Sequence, residues 1–118
     1  MSNNTENTNT KYEANLVVIG AGSGGLVSAY IAAAVNAKVI LIEKSKMCGG
    51  CLNTGCVPSK ALIRAAKTCY HARHAQEYGV NVGEVSVDFA KVMERVQRVI
   101  ADIEPHDSVE RYSSLGVE

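Results

Sequence analysis

The fold is decided by Asn15-Leu-Val-Val-Ile-Gly-Ala-Gly-Ser-Gly-Gly-Leu26, followed shortly by Lys38-Val-Ile-Leu-Ile-Glu43. The apolar, β-branched run Asn15–Ile19 predicts a strand that is buried on both faces. The alanine-rich run Leu26–Val35 predicts a helix, and Lys38–Glu43 predicts a second buried strand. A strand, a glycine turn, a helix and a strand within about 30 residues form a βαβ unit. The predicted fold class is therefore α/β, a βαβ unit followed by helices in an incomplete doubly wound parallel-sheet domain.

The turn of this unit has a glycine pattern that is typical of Rossmann-like dinucleotide-binding domains. In G-x-G-x-x-G the first glycine permits the tight turn, the second admits a pyrophosphate, and the third lets the helix pack closely on the strand. Glu43 ends the second strand at the spacing expected of a ribose-binding acid. The alternative is a plain glycine-rich turn beside an exposed acid, and the pattern does not separate FAD from NAD. The predicted dinucleotide-binding residues are Gly20, Gly22, Ser23, Gly24, Gly25 and Glu43.

The remaining segments predict helices separated by loops. A polar start at residues 1–12 predicts a flexible tail, and a cysteine-containing loop is expected over Lys44–Val57. Pro58 favours a helix start, and that helix is expected to reach about Tyr78, before Gly79. An extended link, Val80–Val87, follows.

The last part of the chain predicts an amphipathic helix that begins after Asp88 and continues to Ile103. Pro105 is expected to end or kink it, and a final helical piece is expected over Asp107–Leu115. Gly116-Val117-Glu118 has the pattern of an approach to another strand.

Composition argues against several classes of partner. The chain has 118 residues, and its 12 Lys and Arg balance its 12 Asp and Glu, so no net charge favours nucleic acid. No run approaches the roughly 18–20 apolar residues that cross a bilayer. The start lacks the pattern of a secretory signal, which predicts a cytoplasmic location.

Two cysteines lie immediately before the predicted Pro-Ser-Lys helix start, at Cys51 and Cys56. A helix N-terminus and nearby cations favour a thiolate, which lowers a thiol's pKa and raises its reactivity. The local charge agrees, since no acid lies between Glu43 and Glu77, whereas several bases do. For three of these bases a solvated helix face is an equally good interpretation: Arg64, Lys67 and Arg73.

The string Gly50-Cys-Leu-Asn-Thr-Gly-Cys-Val-Pro-Ser-Lys60, together with the glycine loop and Glu43, resembles the FAD-dependent pyridine nucleotide–disulfide oxidoreductases. It is most similar to their dihydrolipoyl dehydrogenase and mercuric reductase branch. The resemblance runs from about Ala14 to Glu118.

The resemblance implies roles for these residues. The glycine loop and Glu43 would hold the ADP half of FAD, and Lys44, Gly50 and Lys60 would also contact the cofactor. Cys51 and Cys56 would form a redox-active disulfide, with Cys56 against the flavin and Cys51 exchanging with substrate. Lys60 would lie near the flavin ring. Electrons would pass from NAD(P)H through FAD and the disulfide to a small disulfide or metal-ion substrate, and the complete protein would be a homodimer.

Two departures from the family pattern follow. Cys48 stands where the family usually has a glycine, which adds a thiol that could mispair with Cys51. Family members are also much longer, and carry NAD(P)H and dimer-interface domains. Residues 13–118 are therefore expected to be the N-terminal part of an FAD-binding domain, and this fragment alone is expected to be inactive.

Two other functions stay open on the residues alone. The chain could be a non-catalytic remnant or interaction fragment, because two strands leave much apolar surface without a partner. It could also be a small zinc module, although the cysteine and histidine spacing fits no familiar site, and no metal ligand is predicted. The candidate zinc residues are Cys48, Cys51, Cys56, Cys69, His71 and His74.

Overall fold

The computed structural model describes residues 13–118, so the tail predicted at residues 1–12 lies outside the described residues. Within residues 13–118, two strands and five α-helices follow in chain order, with 3₁₀ turns at Ala75–Tyr78 and Glu104–Asp107. The elements are β1 (Leu16–Ile19), α1 (Ser23–Ala34), β2 (Val39–Ile42), α2 (Gly49–Asn53), α3 (Cys56–Arg73), α4 (Phe89–Ile103) and α5 (Val109–Ser114).

The predicted βαβ unit is confirmed. Strands β1 and β2 pair in parallel, with Leu16 opposite Val39 and Ile19 opposite Ile42. Helix α1 connects them and packs its buried Ala29 against the sheet. It begins at Ser23, earlier than predicted, because extended backbone at Gly22 already acts as its N-cap. The chain therefore has the α/β fold of a Rossmann-like unit.

The prediction that both strands are buried on both faces is wrong for the described residues. Val39 is fully buried, whereas Val17 and Ile19 are 52% and 86% exposed. Helix α1 covers one face of the sheet, and side chains alternate between faces along a strand. The apolar residues that point away from α1 are consequently exposed to solvent.

A third chain segment joins the sheet beside β2, as the pattern of Gly116–Glu118 predicts. Val117 forms an isolated parallel bridge with Val39 and is itself buried. The backbone N–H of Leu41 donates to the carbonyl of Glu118 at 2.7 Å. β2 therefore lies between β1 and this terminal segment.

The second half of the described chain is helical, with boundaries that differ from those predicted. The expected loop over Lys44–Val57 contains the short helix α2, and α3 begins at Cys56 rather than Pro58. α3 ends at Arg73, and the turn Ala75–Tyr78 continues as a 3₁₀ helix up to Gly79.

Helix α4 forms as predicted, because the Asp88 side chain accepts a hydrogen bond from the Lys91 N–H and caps it. Pro105 lies in the 3₁₀ turn that ends this helix. Helices α3 and α4 pack together, and the Arg95 guanidinium donates to the carbonyl of Ala61. Of the helices within residues 13–118, none combines the length and apolar character that a bilayer crossing needs.

Candidate functional site

The glycine loop between β1 and α1 requires glycine at two positions. Gly20 has a φ of +100°, which side-chain-bearing residues rarely adopt. A Cβ on Gly25 would overlap the carbonyl oxygen of Gly20 and lie 3.1 Å from Cγ1 of Val18. The first glycine therefore makes the turn, and the third brings α1 onto β1, as the pattern predicts.

The middle of the loop is open. A Cβ on Gly22 or Gly24 would meet no atom within 4 Å. Within residues 13–118, no side chain caps the start of α1, and its first turn holds no acidic residue. The first N–H groups of a helix lack intrahelical partners and favour an anion. The loop therefore fits the pyrophosphate of a dinucleotide, with exposed Ser23 at its edge.

Glu43 lies at the end of β2 and faces this loop. Its Oε2 atom accepts a 2.7 Å hydrogen bond from the N–H of Ala21, and its Oε1 atom accepts a 2.8 Å bond from the N–H of Ser45. These two bonds hold the pKa of Glu43 below its usual value. The carboxylate thus joins the glycine loop to the segment after β2, a role that its spacing alone did not predict.

Helix α2 begins against the glycine loop. A Cβ on Gly49 would lie 3.5 Å from the Cα of Gly22, so the two backbones pass close to each other. A cleft of about 380 Å³ opens beside Glu43 and is bordered by residues of α2, including Gly50. The structure therefore brings the predicted glycine loop, Glu43 and Gly50 together, with exposed Lys44 next to them.

Asn53 holds the cysteine segment in shape, and sequence reasoning did not single it out. Its Nδ2 atom donates to the carbonyl of Met47 at 3.1 Å and to that of Gly49 at 2.8 Å. The side chain therefore ties the end of α2 to the chain that precedes it. The only signal in the sequence was its place inside the Gly50–Lys60 string.

The tight connection between α2 and α3 brings Cys51 and Cys56 together. The N–H groups of Thr54 and Gly55 both donate to the carbonyl of Gly50, and a Cβ on Gly55 would lie 3.0 Å from that oxygen. Cys51 is half-buried, Cys56 is exposed, and both thiols are free.

The electrostatics of Cys51 differ from the expectation of a lowered pKa. Interaction with the Cys56 side chain, followed by burial, raises the pKa of the Cys51 thiol, and the nearby charge of Lys60 only partly offsets this. The expectation is wrong because a neighbouring thiol and burial outweigh the cation.

Cys48 occupies the residue before α2 with a left-handed backbone, φ 61°. It is only 9% exposed and packs with Ala21, Leu26 and Leu52. A left-handed φ explains why glycine suits this position. Burial, followed by the adjacent Asp107 carboxylate, raises the pKa of the Cys48 thiol to about 11.

The zinc alternative gains no support from the structure. In the part of the chain that is described, no three His, Cys, Asp or Glu side chains gather as a set that could hold a metal ion.

Comparison with known proteins agrees with this geometry. The family model for pyridine nucleotide-disulphide oxidoreductases matches residues 14–111. A dihydrolipoyl dehydrogenase from Geobacillus stearothermophilus is 48% identical over 82 residues, which are 70% of this chain and 17% of that protein. One from Bacillus subtilis (strain 168) is 44% identical over 88 residues, covering 75% of this chain and 19% of the relative. One from Chlamydia muridarum is 42% identical over 87 residues, with shares of 74% and 19%.

The chain thus spans less than a fifth of the length of these relatives. The glycine loop and the cysteine pair both lie within the family match over residues 14–111. The family match covers most of the described residues. The chain therefore belongs to the pyridine nucleotide-disulphide oxidoreductases, a family of flavoproteins that use FAD and NAD(P)H.

Proposed function

We propose that residues 13–118 hold the ADP half of FAD and carry the redox-active disulfide of an NAD(P)H-linked oxidoreductase. One observation supports this most strongly: the close approach of Gly49 to Gly22. It sets the start of the cysteine helix α2 against the glycine loop. A pair of thiols that lies beside a dinucleotide-binding loop favours electron transfer between the bound cofactor and those thiols.

The cofactor half of the proposal assigns binding to Gly20, Gly22–Gly25 and Glu43. The open loop and the N-terminus of α1 suit two phosphates, and the Glu43 carboxylate can exchange a backbone N–H for a ribose hydroxyl. Lys44, Gly50 and Lys60 are further proposed contacts to the cofactor. FAD, when bound, supplies the two-electron carrier between NAD(P)H and the disulfide.

The thiol half of the proposal assigns catalysis to Cys51, Cys56 and Lys60. Two electrons break the Cys51–Cys56 bond, and the free thiols then exchange with a substrate disulfide through a mixed-disulfide intermediate. Lys60 lowers the pKa of Cys51 against the opposing effects of Cys56 and burial, so it favours the reactive thiolate. The assignment of Cys51 to substrate exchange and Cys56 to the flavin side stays a prediction.

Similarity to dihydrolipoyl dehydrogenases favours a small dithiol or disulfide related to the dihydrolipoyl group as substrate, with a metal ion as the alternative. From the same similarity, we also propose that the protein is a homodimer and is located in the cytoplasm.

Single serine substitutions in the full-length protein test this function. Cys51→Ser and Cys56→Ser should each abolish NAD(P)H-dependent disulfide reduction, while the bound flavin keeps its visible absorption. Cys69→Ser is the matched control, because Cys69 lies along α3, beyond the cysteine connection. Full activity in either of the first two variants would contradict the thiol assignment. A wild-type protein that binds no flavin would favour the non-catalytic alternative.

A further inference from the structure

A third thiol lies next to the proposed redox pair and has no part in the function proposed above. Cys48 precedes α2 and Cys51 lies in its first turn, which is a Cys-X-X-Cys spacing at a helix start. Cys51 also packs against the buried cluster that contains Cys48. The two residues therefore lie three positions apart in the chain and share one buried cluster, which keeps Cys51 beside Cys48.

We infer that Cys48 is an internal exchange partner of Cys51, which forms a Cys48–Cys51 disulfide in place of Cys51–Cys56 and so withdraws Cys51 from turnover. This inference rests on the proposed function, since the Cys51–Cys56 disulfide is its starting point. The Cys48 sulfur attacks the Cys51 sulfur, the Cys51–Cys56 bond breaks, and Cys56 leaves as a thiolate that takes up the proton lost by Cys48. The reactants and the products each contain one disulfide and one thiol, so the exchange consumes no external oxidant.

Burial restricts Cys48 to this partner. Its side chain is only 9% exposed, whereas Cys51 is half-buried and Cys56 is exposed. A substrate disulfide from solvent can therefore approach Cys56 or Cys51 far more readily than Cys48. Exchange at Cys48 then occurs within the chain, and the thiol that it releases is the exposed one.

The charges around Cys48 make this exchange slow near neutral pH. The groups that face it are Cys51 on α2, Asp107 in the 3₁₀ turn and Tyr112 on α5, and none of these supplies a positive charge. Lys60 acts on Cys51 instead. Burial and Asp107 raise the pKa of Cys48 to about 11. Below this pH, the fraction of Cys48 present as thiolate rises about tenfold with each unit increase in pH.

Disulfide mapping in the full-length protein tests the inference. All three cysteines lie between Lys46 and Lys60, so trypsin releases them on one peptide, and chymotrypsin can then cleave after Leu52. The protein is held in a buffer of reduced and oxidised glutathione at about pH 8, quenched with acid and alkylated. A Cys48–Cys51 bond releases the fragment 53–60 with an alkylated Cys56 and the fragment 47–52 with two unalkylated cysteines, whereas a Cys51–Cys56 bond keeps the fragments joined.

Two matched variants separate this inference from the proposed function. Cys56→Ser retains Cys48 and Cys51, and glutathione disulfide should oxidise this pair while two molecules of glutathione are released. Cys51→Ser retains Cys48 and Cys56, and should form at least about tenfold less internal disulfide, because Cys48 is buried whereas Cys56 is exposed to solvent.

Free thiols at Cys48 and Cys51 in the Cys56→Ser protein would overturn the inference. Absence of a Cys51–Cys56 bond in a Cys48→Gly protein would instead overturn the proposed function, whatever the Cys56→Ser result. In the wild type, release of the 53–60 fragment should increase with pH, and a Cys48→Gly protein should release none under any condition that keeps the Cys51–Cys56 bond.

Discussion

The Glu43 carboxylate accepts a 2.7 Å hydrogen bond from the backbone N–H of Ala21, across the edge of the sheet. Its other oxygen accepts from the N–H of Ser45. One side chain therefore fixes the glycine loop relative to the segment that leads into the cysteine helix. Because both carboxylate oxygens accept hydrogen bonds from the backbone, this position requires a residue with two acceptor oxygens, whereas a ribose contact would need only one.

Replacing Glu43 by Gln should weaken both the loop and cofactor binding. The amide keeps one acceptor oxygen, but its NH₂ group faces a backbone N–H that needs an acceptor, so one bond is lost. We expect FAD affinity of the full-length apoprotein to fall about tenfold, measured by quenching of flavin fluorescence. Glu77→Gln makes the same chemical change at an exposed 3₁₀ position and should bind as the wild type does. Equal affinities for the two variants would contradict the role of Glu43.

The same residue predicts a pH dependence. The pKa of Glu43 is lowered from its usual 4.5, so its contribution to stability is complete above that value and is lost as the pH falls through the lowered folded-state pKa. The difference in melting temperature between wild type and Glu43→Gln should therefore shrink on acidification below about pH 4.5. A difference that stays constant down to about pH 2.5 would exclude a depressed pKa.

Gly25→Ala should strongly destabilise the protein. The new Cβ would overlap the Gly20 carbonyl oxygen, so α1 must move away from β1, at a cost of about 3 kcal/mol. Gly24→Ala is the matched control in the same helical turn, because its Cβ would enter open space and alanine favours helix. Denaturant unfolding should show a large loss for the first variant and a change within about 0.5 kcal/mol for the second. Similar losses in both would show that α1 does not pack on the loop as described.

Asn53→Ala should loosen the cysteine segment. It removes two hydrogen bonds, to the carbonyls of Met47 and Gly49, and we expect a loss of about 1–2 kcal/mol in unfolding free energy. The half-buried Cys51 should also react faster with iodoacetamide. Thr54→Ala is the control, since the Thr54 hydroxyl makes one exposed 3.4 Å contact with Gly50. Unchanged alkylation of Cys51 in Asn53→Ala would count against a positioning role for Asn53.

Local pattern was sufficient to predict the βαβ unit, because its strands, glycine turn and helix each follow from neighbouring residues. The Asp88 cap was predictable for the same reason. Helix α2 was not, since Gly49–Asn53 contains two glycines and an asparagine, all poor helix formers. It forms because Leu52, which is 1% exposed, packs with Ala21 and Leu26 from a different part of the chain.

The site was likewise predictable only where local pattern determines it. Spacing identified Glu43, but its partner is the backbone of Ala21 rather than a side chain, and no pattern encodes that bond. Asp107 reaches Cys48 only because of where α4 ends, so the raised pKa of this thiol depends on tertiary structure. The expectation of a lowered pKa for Cys51 was wrong because the sequence pattern shows nearby cations but neither the contact with the Cys56 side chain nor burial.

Cys48 should make the protein less stable in alkali. Its pKa is raised from 9.0 to about 11, so the protonated thiol contributes stability that is complete below about pH 9 and is lost as the pH rises through 11. A shift of this size corresponds to about 2–3 kcal/mol, in a side chain that is only 9% exposed.

Cys48→Ala isolates this contribution, because alanine keeps a Cβ at the left-handed position and removes only the ionisable group. Between about pH 8 and pH 11 the wild type should lose about 2 kcal/mol more unfolding free energy than the variant, measured in urea. Tyrosines and lysines titrate in both proteins, so the difference between their curves removes that background. Cys69→Ala, on α3, is the matched control for the removal of a cysteine. Parallel curves for wild type and Cys48→Ala would mean that the thiol ionises as readily in the folded protein as in the unfolded chain, which its burial beside Asp107 opposes.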